Sequence, residues 1–262
     1  MALKLPASFT EHSIKPYENP DFHRLIAYSY GRDATGKTDF ALTAPGPIVI
    51  FNNDKELGNM PQRRFPGKVI AEVPYFTPPD LKMSDTEMVK KTMKEIIVKF
   101  KKQFRSFVKD PDIRTIVIDN GTKHWAMVRL ALFGSLKPGV SSLSYDVANQ
   151  EMDLLFNYIR QSTKNLIVIN QAGKVYTKSK TKKGSDISEW DGKTWECSGY
   201  SHIAYSPTVG LYHKKTSDGM EAEIVKCSLN RDLEGFPLSG DDLDFAALGM
   251  MIYPESNKEE WR

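Results

Sequence analysis

Residues Gly31, Arg32, Asp33, Ala34, Thr35, Gly36, Lys37 and Thr38 fill every fixed position of the pattern G-x-x-x-x-G-K-[ST]. Such a loop binds the phosphates of a nucleoside triphosphate. Its glycines let backbone N–H groups close around the anion, Lys37 reaches the β- and γ-phosphates, and the Thr38 hydroxyl ligates Mg²⁺. A second group follows at Asp119, which ends the run Thr115-Ile116-Val117-Ile118. A carboxylate at the edge of a buried strand is costly unless it binds something. Beside a phosphate loop its natural partner is Mg²⁺, and the bland alternative is a cap for the next helix. Hydrolysis also needs a group that orients or deprotonates water, and Asp54 and Glu56 both follow the second apolar run, with Asp54 favoured. Gln171 ends another apolar strand, where its amide can hydrogen-bond a γ-phosphate or simply begin a turn.

The stretch after Gln171 has a different chemistry. Five lysines, Lys174, Lys178, Lys180, Lys182 and Lys183, fall within ten residues that hold no acid. Tyr176 lies among them, and Trp190 and Trp195 follow. Lysines that track phosphates and rings that stack on bases suit single-stranded DNA. A solvated surface loop is the competing reading. The polarity from Ala172 to Glu196 predicts a loop, and loops of that length in a compact domain are usually functional or disordered.

These groups need elements to hold them. Leu25–Tyr30 reads as a buried strand before the phosphate loop, and Asp39-Phe40-Ala41-Leu42 as the start of the helix after it. Pro47–Phe51, Lys68–Val73, Thr115–Asp119 and Asn165–Ile169 read as further strands. Ser84 and Glu87 form a capping box before a long amphipathic helix with Val89, Met93, Ile96, Ile97, Phe100, Phe104 and Phe107 on its apolar face. Its other face is basic (Lys90, Lys91, Lys94, Lys101, Lys102, Arg105), which reads better as a solvated helix face than as a DNA contact. Helices are also expected over 123–133 and 145–161. Ile203–Tyr205, Val209–Tyr212 and Ala222–Lys226 read as strands, the last two joined across Ser217-Asp218-Gly219. The alternation predicts an α/β protein whose central sheet begins parallel, with helices on its faces and an antiparallel C-terminal edge. Residues 1–22 read as an irregular leader, 23–238 as the core and 239–262 as an acidic, peripheral tail.

Composition bounds the class. The chain has 262 residues, 40% hydrophobic and 26% charged, which is ordinary for a globular protein. No apolar run approaches the ~20 residues that span a bilayer, so no membrane is expected. Two cysteines and five scattered histidines argue against a disulfide framework or a zinc cluster. A reduced, cytoplasmic setting is expected. The net charge of +3 is too small by itself to demand a nucleic-acid partner.

In this order the pieces resemble the RecA-like P-loop ATPases. Thr115-Ile116-Val117-Ile118-Asp119-Asn120 is similar to that family's Mg²⁺-binding strand. Val168-Ile169-Asn170-Gln171 resembles the strand that leads into its second DNA-binding loop, where the glutamine senses the γ-phosphate. Asn53-Asp54-Lys55-Glu56-Leu57 lies where the family places its catalytic acid, usually a glutamate. Val225–Arg231 resembles the late strand whose basic residues reach a neighbour's ATP; only Arg231 matches well, since Leu229 stands where a lysine is usual. The short length is similar to the phage single-strand-annealing recombinases. The resemblance implies ATP and Mg²⁺, single-stranded DNA, a homo-oligomer (ring or filament) with ATP between subunits, a single-strand-binding protein as a further partner, and the host cytoplasm. It implies annealing or strand exchange driven by a DNA-stimulated ATPase. A hexameric helicase or packaging-type motor, and an annealing protein that binds ATP with little hydrolysis, share the same site.

Overall fold

The computed structural model describes residues 23–54, 56–136, 142–180 and 186–261. Its strands follow the apolar runs. β1 (Ile26–Gly31), β2 (Ile48–Asn52), β3 (Ile70–Pro74), β4 (Thr115–Asp119) and the first half of β5 (Asn165–Lys180) pair in parallel, in the spatial order β3-β2-β4-β5-β1. β1, β2 and β4 are buried at every residue, as parallel strands covered on both faces must be. Their side chains alternate between two cores. Val49, Phe51, Ile116, Ile118, Leu166 and Val168 enter one; Ile48, Ile50, Val117, Ile167 and Ile169 enter the other.

On the first face lie α3 (Thr86–Lys109), α4 (Gly121–Phe133) and α5 (Ser142–Arg160), with α1 (Lys37–Thr43) on the second. A short α2 (Met60–Arg64), absent from the expected elements, follows β2. In α3 the buried residues Val89, Met93, Ile97, Phe100 and Phe104 recur every three or four positions, which makes one continuous apolar stripe. Phe100 packs edge-on against Phe51 of β2, with ring centroids 4.7 Å apart. The N-cap is Asp85 rather than the expected Ser84: its carboxylate accepts from the Met88 N–H at 3.0 Å. The basic face of α3 is largely exposed, although Lys101 pairs with Glu151 and the Arg105 guanidinium sits 4.6 Å from the Tyr158 ring.

The antiparallel edge is present. β7 (Val209–Thr216) joins β1 in parallel, and β8 (Gly219–Cys227) and β9 (Pro237–Ser239) continue antiparallel. Three expectations need correction. Ser201–Ala204 is a 3₁₀ turn that buries Ile203, not a strand. The lysine-rich stretch is not a loop: β5 runs on to Lys180 and β6 (Asp186–Cys197) returns antiparallel to it. The acidic C-terminal segment is not peripheral. α6 (Phe245–Ile252) is capped by Asp244, which accepts from the N–H groups of Ala246 and Ala247, and Phe245, Leu248 and Trp261 are buried in the second core. The Phe245 N–H donates to Thr43 Oγ1 at 2.8 Å, tying this segment to the end of α1.

Candidate nucleotide site

The parallel strands bring their C-terminal ends to one edge, and the chemistry-bearing residues gather there. β1 ends at Gly31, which pairs in register with Gln171 of β5 on one side and His213 of β7 on the other. A Cβ at Gly31 would strike the His213 carbonyl and approach Thr35 Oγ1 to 2.8 Å, so only glycine fits. Gly36 has φ of 80°, the left-handed conformation that turns the chain into α1. The loop between them folds on itself. Lys37 Nζ donates to the carbonyls of Arg32 at 2.6 Å and Gly31 at 3.1 Å, and Thr35 Oγ1 donates to the Arg32 carbonyl at 2.8 Å. Burial lowers the Lys37 pKa, against the attraction of Asp119, Asp33 and Asp54. Its ammonium is therefore held by neutral oxygens in a place where anionic oxygens would bind it better. His213 lies fully buried under the loop, and burial holds its pKa down at about 3, so it is neutral.

Asp119 faces the loop from β4. Thr38 Oγ1 donates to Asp119 Oδ2 at 2.8 Å. Burial raises the carboxyl pKa to about 6, with the Asp54 charge adding to the rise; the Thr38 hydrogen bond and the charges of Lys37 and Lys123 oppose it. A hydroxyl and a carboxylate in contact, both hard oxygen donors, suit Mg²⁺, which takes one or two protein oxygens and completes its shell with phosphate and water. The residues present thus fit that ion. Among the described residues no cluster of three or more His, Cys, Asp or Glu side chains could form an all-protein metal cage.

Asp54 and Glu56 both line the same cavity of about 320 Å³, together with Asp33, Lys37, Thr38, Asp119 and Gln171. Asp54 is fixed in place: Lys123 Nζ of α4 donates to its Oδ1 at 2.5 Å, and its N–H donates to Asn52 Oδ1 at 2.9 Å. Glu56 is exposed. Arg231 lies in a 3₁₀ turn after β8 and does not line this cavity.

Three further side chains, with no pattern in the sequence to mark them, complete the site. Asn53 accepts from the Asn120 N–H at 2.8 Å and donates to Tyr75 Oη at 2.8 Å, which locks the ends of β2 and β4 together. Lys123 had no signal beyond its charge. Thr122 joins the site to what lies beyond it. Its hydroxyl accepts from the Gln171 N–H at 3.0 Å and donates to the Ser198 carbonyl at 2.8 Å.

Beyond Gln171, β5 leaves the central sheet and, among the described residues, pairs only with β6, as a two-stranded ribbon. Lys174 and Tyr176 are exposed, and Lys174 Nζ lies 4.4 Å from the Trp190 ring centroid. Lys178 and Lys180 stand opposite Ser188 and Asp186 in the ribbon register. Lys182 and Lys183 lie outside the described residues.

A glycine-rich loop between the first strand and helix of a mostly parallel α/β sheet, with its lysine and threonine facing an acid on a nearby strand, defines a P-loop nucleotide-binding domain. The chain belongs to the AAA domain family, whose model matches residues 24–195 and so covers the phosphate loop, Asp119, Gln171 and most of the ribbon. Nucleotide-binding ATPase activity goes with that family. No curated protein matches the chain. No described helix is long and apolar enough to cross a membrane.

Proposed function

We propose that this chain is an ATP-dependent, single-stranded-DNA-binding recombinase of the RecA-like phage type, which promotes annealing or strand exchange. The observation that carries this reading is the course of β5. One continuous strand passes from Gln171, beside the phosphate loop, into the ribbon with Lys174, Tyr176, Lys178 and Lys180. A shift at Gln171 is thereby carried along the same strand into the basic segment, whose pairing with β6 changes register between Lys174 and Tyr176.

The roles follow from placement. The loop amides of residues 31–38 and the Lys37 ammonium bind the β- and γ-phosphates. Thr38 and Asp119 hold Mg²⁺, which when bound neutralises charge on the phosphates. Asp54 orients the attacking water, with Glu56 as its neighbour on the same wall of the cavity. Gln171 hydrogen-bonds the γ-phosphate. Arg231, remote from the cavity of its own chain, serves the site of an adjacent subunit in a homo-oligomer. Phosphoryl transfer depends on positioning and charge stabilisation, so no covalent catalyst is needed. The Lys123–Asp54 pair favours one further reading, in which ATP sets the assembly state with little turnover.

The test is ATP turnover with and without single-stranded DNA, for the wild type and for a Lys178/Lys180/Lys182/Lys183→Ala variant. DNA should stimulate the wild type and leave the variant at its basal rate. If four lysines each meet a phosphate, the variant's log–log salt dependence of binding should be shallower by about 3. Unchanged DNA binding by the variant would refute the ribbon as the DNA site. Tight binding and annealing without turnover would select the assembly reading.

A further inference from the structure

The Arg32 side chain of the phosphate loop reaches the ribbon. Its guanidinium carbon lies 5.3 Å from the centroid of the Trp195 ring on β6. Trp195 meets Trp190 at 5.1 Å between centroids, with the rings inclined at 69°, and Trp190 carries the Lys174 ammonium. Arg32, Trp195, Trp190 and Lys174 therefore form a single run of alternating contacts from the nucleotide site into the basic ribbon. The proposed hydrolytic roles use none of these contacts.

We infer that Arg32 covers a nucleobase-stacking face of Trp195, and that a bound triphosphate uncovers it by drawing the guanidinium onto phosphate oxygens. This rests on the DNA-binding reading and adds to it a residue that makes DNA binding depend on nucleotide.

Three observations support the step. First, a planar guanidinium over an indole takes up a face on which a base could stack. Trp195 is only partly exposed, with Arg32 and Trp190 both against it. Second, the attraction of arginine for phosphate, with two parallel charge-assisted hydrogen bonds, exceeds its attraction for a ring. Arg32 is exposed and sits within the phosphate loop, so both partners are within its compass. Third, the backbone of Arg32 is held by the residue the triphosphate would claim. Lys37 Nζ and Thr35 Oγ1 are the donors to its carbonyl, at 2.6 and 2.8 Å. When the ammonium turns to phosphate, that carbonyl keeps only the threonine. The two strands stay together at the ribbon's root, because Thr122 clamps Gln171 and Ser198.

The inference fixes the sign of an otherwise ambiguous result. Removing a positive charge from a DNA-binding protein ordinarily weakens binding. Here Arg32→Ala should strengthen it in the absence of nucleotide. The measurement is fluorescence anisotropy of a labelled oligo-dT at fixed salt, without nucleotide, with ADP, and with a non-hydrolysable ATP analogue. The wild type should bind several-fold more tightly with the analogue, a factor of about 3–10 for one cation–π contact. Arg32→Ala should show the tighter affinity in all three conditions. Trp195→Ala should show weak binding in all three, and tryptophan emission should respond to the analogue in the wild type but not in Arg32→Ala. Weaker nucleotide-free binding by Arg32→Ala, or wild-type binding that ignores the analogue, would overturn the inference and leave the ribbon as the DNA site. If the ribbon-lysine and Trp195 variants all bind DNA like the wild type, the DNA reading itself fails and the inference with it. Thermal melting of each variant guards against misfolding, which is not expected at an exposed loop side chain.

Discussion

Lys37→Ala is expected to lower ATP turnover on the order of a thousandfold or more, while the melting temperature stays close to that of the wild type. The two halves come from the same contacts. In the nucleotide-free protein the Lys37 ammonium is partly desolvated, and its hydrogen-bond partners are the Gly31 and Arg32 carbonyls and the Thr35 hydroxyl, all within its own loop. These are local bonds that substitute for water, so their loss should cost the fold about 1 kcal/mol or less. The fold also recovers the cost of a half-buried ammonium. A triphosphate replaces the neutral oxygens with charged ones. The attraction then falls on the phosphates whose charge redistributes as the terminal group departs, and a single preorganised donor at such a point is worth about a hundred- to a thousandfold in rate. Loss of phosphate affinity adds to this. Phosphate release and binding of a fluorescent ATP analogue, measured beside thermal melts, check both halves. Hydrolysis at the wild-type rate would remove the phosphate loop from the reaction. A large fall in melting temperature would mean that Lys37 is chiefly a structural cation.

Residues that declare themselves by local pattern were legible in the sequence, and residues that act across the fold were not. The phosphate loop, Asp119 and Gln171 each sit at the end of a short apolar run, and parallel pairing of those runs brings their ends to one edge. Asn53, Thr122 and Lys123 carry no such pattern. Each matters only because β2, β4 and β5 are neighbours, which a single chain of letters does not display. In sequence the ribbon has the character of a loop, because a strand is recognisable by its one buried face. Past Gln171, β5 pairs with β6 outside the central sheet, and the stretch lacks the apolar alternation that burial imposes. At the C-terminal end, Asp241, Asp242 and Asp244 give an acidic lead to the apolar run Phe245–Ile252. Asp244 is in fact the N-cap of that apolar helix, and an acid before an apolar run is a helix start rather than a tail.

Asp119→Asn is expected to act in opposite directions on function and stability. The carboxylate is 6% exposed, and burial raises its pKa from 3.8 to about 6. Between those values the folded chain holds a proton that the unfolded chain has shed, so this group's stabilising contribution is present below about 4 and is lost as pH rises through 6. The loss is on the order of 2–3 kcal/mol. Asparagine keeps an oxygen to accept from the Thr38 hydroxyl but carries no charge. The variant should therefore melt several degrees above the wild type at pH 7.5, and the difference should shrink as pH falls through 6 and vanish only below about pH 4. Turnover should move the other way, falling on the order of a hundredfold or more, because the neutral amide is a poor Mg²⁺ ligand and cannot balance charge at the phosphates. The Mg²⁺-dependent gain in nucleotide affinity should disappear with it. In the wild type that gain should weaken below pH 6, since the ion must displace the proton that burial retains. Melting curves across this pH range, without nucleotide or metal, separate the effects. If the variant is no more stable than the wild type at pH 7.5, the cost assigned to burying Asp119 is wrong. If its nucleotide affinity still rises with Mg²⁺, the ion is held elsewhere. The buried charge is best understood as stability given up in exchange for a metal ligand held ready at the strand edge.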